Sequence, residues 1–224
     1  MSQFEPQLVS EGGHKTLLIQ GCPKGGTTYL SNLLRRAGAH IGHERPDAFG
    51  LCTGFFHSRH HWYPIPSNHP DAYEFDHRWW LMRHPLTAVP SLAWFLTGRD
   101  RFLGWFHQLG YDVPASPQGA TNGDLLHYGL VVWLETHWRV WEQTPPQGLR
   151  LELERIPKHW PLIRQTLGWQ CAMPQVPIPN PTSATHRAGP IGWGDLEALD
   201  PGRARLARAL YRRFCREARK QRGA

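Results

Sequence analysis

Long apolar runs are missing from this 224-residue chain. None approaches the roughly 20 residues that a helix needs to span a bilayer, so we expect no membrane span. The opening stretch MSQFEPQLVSEGGHK holds no apolar segment of the kind that makes a signal peptide, and we expect a cytoplasmic protein. Cysteine is scarce. Cys22, Cys52, Cys171 and Cys215 are scattered with no C-x-x-C pair, which excludes the paired-cysteine zinc and dithiol redox motifs and leaves free thiols. Acidic residues are also few, 18 against 25 Lys and Arg, for a formal charge of +7. That balance favours an anionic partner, whether nucleic acid, acidic lipid or a polyanionic small molecule. No nucleic-acid-binding motif accompanies the charge, and we expect no nucleic-acid partner. Much of the excess lies in RARLARALYRRFCREARKQR, which reads as a surface helix docked by Leu206, Leu210 and Phe214. Histidine is the exception to the scarcity, at 14 residues with a cluster in HSRHH (57–61). Its spacing matches no metal site, and we expect no metal.

A lysine is missing where a nucleoside-triphosphate loop would carry one. In GCPKGGTTYL (21–30), Gly21 and Gly26 keep the glycine spacing of G-x-x-x-x-G-K-[ST], but Thr27 stands in the lysine position and the lysine appears earlier, as Lys24. The preceding TLLIQ (16–20) reads as a buried strand, and TTYLSNLLRRAG (27–38) as a helix with Leu30, Leu33 and Leu34 on one face, stopped by Gly38. Strand, glycine loop and helix is the context a phosphate cradle needs. Residues 40–76, rich in His, Pro and aromatics, read as irregular. HRWWLM (77–82) reads as a second buried strand, followed by a helix from Pro85 that Pro90 should kink or delay. Residues 98–123 read as loop, and Asp124 as the N-cap of a long helix over LLHYGLVVWLETHWRVWEQ. LRLELE reads as a strand, PKHWPLIRQTLG as a helix, and MPQVPIPNPTSAT as too proline-rich for the core. Strands alternating with helices predict an α/β fold. We expect a single domain with a central, mostly parallel sheet flanked by helices, residues 1–15 forming a tail and 16–224 the domain. Ligands in such sheets bind beyond the carboxyl ends of the strands, which selects the loop after the first strand and RHP after the second.

PKGGTTYL resembles the 5′-phosphosulfate loop of the sulfotransferases that use 3′-phosphoadenosine 5′-phosphosulfate (PAPS), written P-K-[SAG]-G-T-T-[WY]-L. A second segment, RHPLTAVPS, is similar to that family's 3′-phosphate motif, with Arg83 and, eight residues on, Ser91. HRAGPIGWGD looks like the third, R-x-G-x-x-G, through Arg187, Gly189 and Gly192, and LRLELERI like the family's L-R-[YL]-E-D-L strand. The resemblance implies a phosphate-loop sulfotransferase fold and transfer of the sulfuryl group from PAPS to a hydroxyl of a small molecule or carbohydrate. The product would be 3′-phosphoadenosine 5′-phosphate (PAP), and no metal would take part. It implies that Lys24 stabilises charge on the leaving phosphate. Gly25, Gly26, Thr27 and Thr28 would hold the 5′-phosphate, Tyr29 would stack on adenine, and Arg83, Ser91, Arg187 and Gly189 would bind at the 3′-phosphate. For the base that accepts the acceptor's proton the resemblance implies two candidates. Glu44 lies about twenty residues after Lys24, where carbohydrate-type relatives carry a glutamate, and His61 lies 22 residues before Arg83, where aryl and steroid sulfotransferases keep a histidine. Glu44 is preferred, because the segment around His61 departs from the family's K-T-H-x-P. His43 either orients Glu44 or is itself the base. Many of the eleven tryptophans fall in 79–141, where they either line an acceptor pocket or fill the core.

Overall fold

A computed structural model describes residues 14–54, 73–97, 100–176 and 190–223. They form one α/β domain: β1 (His14–Gln20), α1 (Thr27–Arg36), β2 (Ile41–His43), β3 (Gly50–Thr53), β4 (Glu74–Met82), α2 (Pro85–Thr97), α3 (Asp100–Gln108), α4 (Asn122–Gln143), β5 (Arg150–Glu152), α5 (Ile156–Leu167), α6 (Trp193–Leu199) and α7 (Pro201–Arg222). The strands lie in the order β2-β3-β1-β4-β5, and every neighbouring pair is parallel. The chain leaves β1 toward one edge and later crosses back to build β4 and β5 on the other side. Loops at the carboxyl end of β1 therefore diverge, and this is where a doubly wound sheet leaves a crevice.

Period-two alternation sorts the strand residues onto two covered faces. Leu17, Ile19, Trp79 and Leu81 pack under α1 and α5, whose contributions include Leu30, Leu34 and Ile163. Trp80 and Met82 point the other way, into the layer of α2, α3, α4, α6 and α7. Gly129 lets α4 close onto α2, since a Cβ there would lie 2.8 Å from the Val89 carbonyl oxygen. The edge strand β5 is held by the last turn of α7. The Gln221 side chain accepts from the Arg150 amide (2.9 Å) and donates to the Gly148 carbonyl (2.9 Å). Arg222 reaches Glu152 (3.1 Å), and Glu217 pairs with Arg150 at 2.7 Å.

Several sequence expectations need correcting. Residues 40–76 contain β2, β3 and the first residues of β4, which begins at Glu74. Strands of three or four residues, one of them wholly buried, are too short to display a period. Within 98–123 the chain forms α3, docked by Leu103 and Phe106 one turn apart. The N-cap of α4 is Thr121. Asp124 is the return arm of a capping box, its carboxylate accepting from the Thr121 amide at 2.8 Å. The helix α2 starts at Pro85 without delay and continues past Pro90, because burial of Ala88, Val89 and Leu92 outweighs one lost backbone bond. LRLELE gives only Arg150–Glu152 as strand before a 3₁₀ turn over Leu153–Arg155. Leu206 is 56% exposed, and α7 docks instead through Ala204, Ala207, Leu210, Phe214 and Ala218. Among the described residues no helix is long and apolar enough to cross a membrane.

Candidate active site

The loop between β1 and α1 is built by its glycines. The Gly21 amide still joins the sheet, donating to the Thr53 carbonyl at 3.0 Å. A turn then closes with the Gly25 amide on the Cys22 carbonyl at 2.8 Å. A Cβ at Gly25 would sit 2.6 Å from that carbonyl oxygen. Lys24 and Gly26 both take left-handed backbone angles, φ 61° and 92°, and a Cβ on Gly26 would collide with Leu153 at 2.5 Å. Gly26 is the N-cap of α1, has no side-chain cap, and no acidic residue sits in the first turn. The first intrahelical bond is Leu30 to Gly26, so the amides of Thr27, Thr28 and Tyr29 have no acceptor within the helix. Those amides and the positive end of the helix dipole suit an anion.

The second loop meets the first. The Arg83 Nη1 donates to the Lys24 carbonyl at 3.1 Å, and its Nε to the Thr87 hydroxyl at 3.2 Å. Thr87 and the buried Ser91 are four residues apart on one face of α2, and Arg83, just ahead of the helix, reaches that face through Thr87. Burial pulls the Arg83 guanidinium below its ordinary value, and the Glu154 charge pushes back. Glu154, just past β5, accepts from the His84 amide (2.9 Å) and the Thr87 hydroxyl (3.3 Å). Trp133 of α4 donates to the Arg83 carbonyl at 3.3 Å, and the His84 ring meets Tyr211 of α7 edge-on at 4.5 Å. The turn is thus fixed from three other elements. The Lys24 ammonium lies 5.6 Å from the Trp94 ring and 5.4 Å from the Phe95 ring, within cation–π range on the outer part of α2.

The third group stands at the ends of β2 and β3. Glu44 has φ 57° and its amide donates to the Cys52 carbonyl. Its carboxylate accepts from the Thr53 hydroxyl (2.5 Å) and the Gly54 amide (2.7 Å). A quarter of the side chain remains accessible, yet burial of the carboxylate outweighs both bonds and pushes its pKa up to about 7. His43 Nε2 lies 3.1 Å from the Thr27 hydroxyl, 3.1 Å from the Thr28 hydroxyl and 3.4 Å from Glu44 Oε1. Burial lowers the His43 pKa.

Lys24, Gly25, Gly26, Thr27, Thr28, Glu44, His43 and Arg83 therefore gather at the carboxyl ends of β1, β2 and β4. Tyr29 packs half-buried against the α1 and α5 core. His61, Arg187 and Gly189 lie outside the described residues, and Gly192 is the N-cap of α6. Of the tryptophans, Trp79, Trp80 and Trp133 are buried, whereas Trp94 and Trp138 are about half exposed. Sequence reading missed Thr53, Thr87 and Glu154. Only Thr87 had a usable signal, its position midway between Arg83 and Ser91. Among the described residues no group of three or more His, Cys, Asp or Glu is placed to hold a metal ion. Compared with protein-family models, curated proteins and solved structures, the chain matches none.

Proposed function

We propose that the protein is a sulfotransferase of the phosphate-loop type, taking a sulfuryl group from PAPS to a hydroxyl of a small-molecule or carbohydrate acceptor. The observation that carries the proposal is the hydrogen bond from Arg83 to the Lys24 carbonyl, which ties the two motifs into one site. The uncapped start of α1, free of acidic side chains, fits the 5′-phosphate end of such a donor.

PAPS, when bound, supplies an activated sulfuryl group whose leaving phosphate needs charge stabilisation but no bridging metal. Thr27, Thr28 and the loop amides hold the 5′-phosphate. Arg83, with Thr87 and Ser91 behind it, gives a planar cation and hydroxyl donors for the 3′-phosphate, and Arg187 and Gly189 close over it. Lys24 meets the charge that develops on the leaving oxygen, an interaction that counts mainly in the transition state. Glu44 accepts the acceptor's proton at its carboxylate. A carboxyl near 7 is well matched to that task, since it is part-ionised at neutral pH and still basic enough to drive transfer.

The test is calorimetric titration with PAP in the presence and absence of EDTA, beside ATP with and without Mg²⁺. Metal-independent binding of PAP, tighter than that of ATP, is expected. Tighter, Mg²⁺-dependent binding of ATP would make the site a kinase's instead.

A further inference from the structure

His43 has a place that the proposed reaction does not use. Its Nε2 stands equidistant from the two hydroxyls at the head of α1, with Glu44 beside it. In the neutral protein the simplest arrangement has both hydroxyls donating to an unprotonated Nε2, the ring proton residing on Nδ1. A phosphate at the start of α1 needs those same hydroxyl protons. Once they turn to phosphate oxygens, the threonine oxygens offer lone pairs to Nε2, and Nε2 must become a donor.

We propose that His43 is a positioning residue that senses the bound 5′-phosphate through Thr27 and Thr28, taking up one proton from solvent as the phosphate enters. The inference rests on the sulfotransferase reading only in needing a phosphate at α1. The balance is simple: a buffer acid or hydronium gives up one proton and becomes its conjugate base, that proton forms the Nε2–H bond, and the imidazolium then faces a phosphate dianion. Neighbouring groups support the direction. Glu44 on the same segment, Arg45 after it, Cys52 opposite on β3, Lys24 on the loop before α1, and Tyr29, Arg35 and Arg36 on α1 are the titratable or charged groups that these elements carry. Burial and the Glu44 charge push the Cys52 thiol well up, so it stays neutral. Burial lowers the free histidine, which is therefore neutral above pH 6.5 until an anion arrives. A pKa that binding raises makes binding tighter at low pH, and the gain is lost as pH rises through the value in the complex.

The experiment is calorimetric titration of PAP into the full-length protein at pH 7.5, in HEPES and in Tris. At that pH the probe's phosphates, with second pKa values of about 6, are already dianionic. The difference in observed heat between the buffers counts protons taken up. We expect about half a proton or more per PAP in the wild type and in Glu44→Gln. We expect almost none when His43→Gln, or His43→Asn should the first variant fold poorly, is combined with Glu44→Gln, because a carboxyl near 7 would otherwise take up protons of its own beside a dianion. His43→Gln should also bind PAP about tenfold more weakly at pH 6.5, the gap closing by pH 8.5. If wild type binds PAP without proton uptake, the ring merely exchanges tautomers and this inference falls while the sulfotransferase reading stands. Uptake that survives in both of these combined variants overturns it equally. If PAP does not bind at all, both fall together.

Discussion

Glu44→Gln should make the protein more stable, and only above mildly acidic pH. The carboxyl titrates near 4.5 when unfolded and at about 7 when folded. Below 4.5 it is protonated in both states and contributes nothing. Between the two values the unfolded chain ionises while the folded protein does not, so stability falls as pH rises. Above 7 the whole penalty is present. The gap corresponds to about 3 kcal/mol. A glutamine escapes it at little cost, because its amide oxygen still accepts from Gly54 and the Thr53 hydroxyl turns from donor to acceptor for the amide nitrogen. Urea unfolding at pH 4, 6 and 8 measures the effect. The variant should match the wild type at pH 4 and exceed it by about 3 kcal/mol at pH 8, roughly 6–12 °C in Tm for a chain of this size. Parallel pH profiles for the two proteins would refute the argument, since they would mean that the carboxyl is as well solvated in the fold as in the unfolded chain. The same variant should lose most of its turnover while keeping its donor affinity. The site would then hold its base at the expense of the fold.

Lys24→Ala should lower sulfuryl transfer far more than PAP affinity, as steady-state kinetics beside calorimetry will tell; equal losses would make Lys24 a plain phosphate contact. Arg83→Ala should abolish discrimination between PAP and AMP, which in the wild type should exceed about tenfold, the contribution of one charge-assisted bond of about 1.5–3 kcal/mol. Four dissociation constants decide it, and a wild type indifferent to the 3′-phosphate would dismiss the second motif. Gly26→Ala should cost about 2–4 kcal/mol in urea unfolding, from a left-handed backbone and a collision with Leu153. In a double-mutant cycle with Leu153→Ala the steric share should be recovered, a coupling of about 1 kcal/mol or more, while the backbone share persists.

The layers of the fold were legible where the pattern was long. β1 and β4 each carry a short unbroken apolar run, LLI and WWLM, where the sheet is covered on both faces, and α4 shows its helix over 22 residues. β2 and β3 were not legible, because three or four residues give no period and their strand state depends on pairing, β3 with β1 and β2 with β3. The α7 stripe misled for a different reason. Leucine and phenylalanine dominate a hydropathy reading, but the face that docks is made largely of alanines, which let the helix lie close. At the site, the two loops could be read because glycine and arginine sit at fixed offsets in contiguous sequence. Their meeting could not, since it joins residues 59 apart. Thr53 and Glu154 were invisible for the same reason: each acts on a partner brought to it by the sheet, not by the chain.

The hold that Gln221 keeps on β5 bears on how molecules of this protein avoid one another. A strand with one neighbour leaves its outer backbone groups ready to pair with any extended chain that drifts past. Here a single side-chain amide takes the Arg150 N–H and the Gly148 C=O, one as acceptor and one as donor, just as the next strand would. Glu217 and Arg222 fasten the helix that carries it. The seam is closed by a surrogate that cannot itself be extended, so sheet growth stops there. Fraying of that last turn would reopen the template, and the protein would become prone to self-association through its edge while the loops after β1 and β4 were still intact.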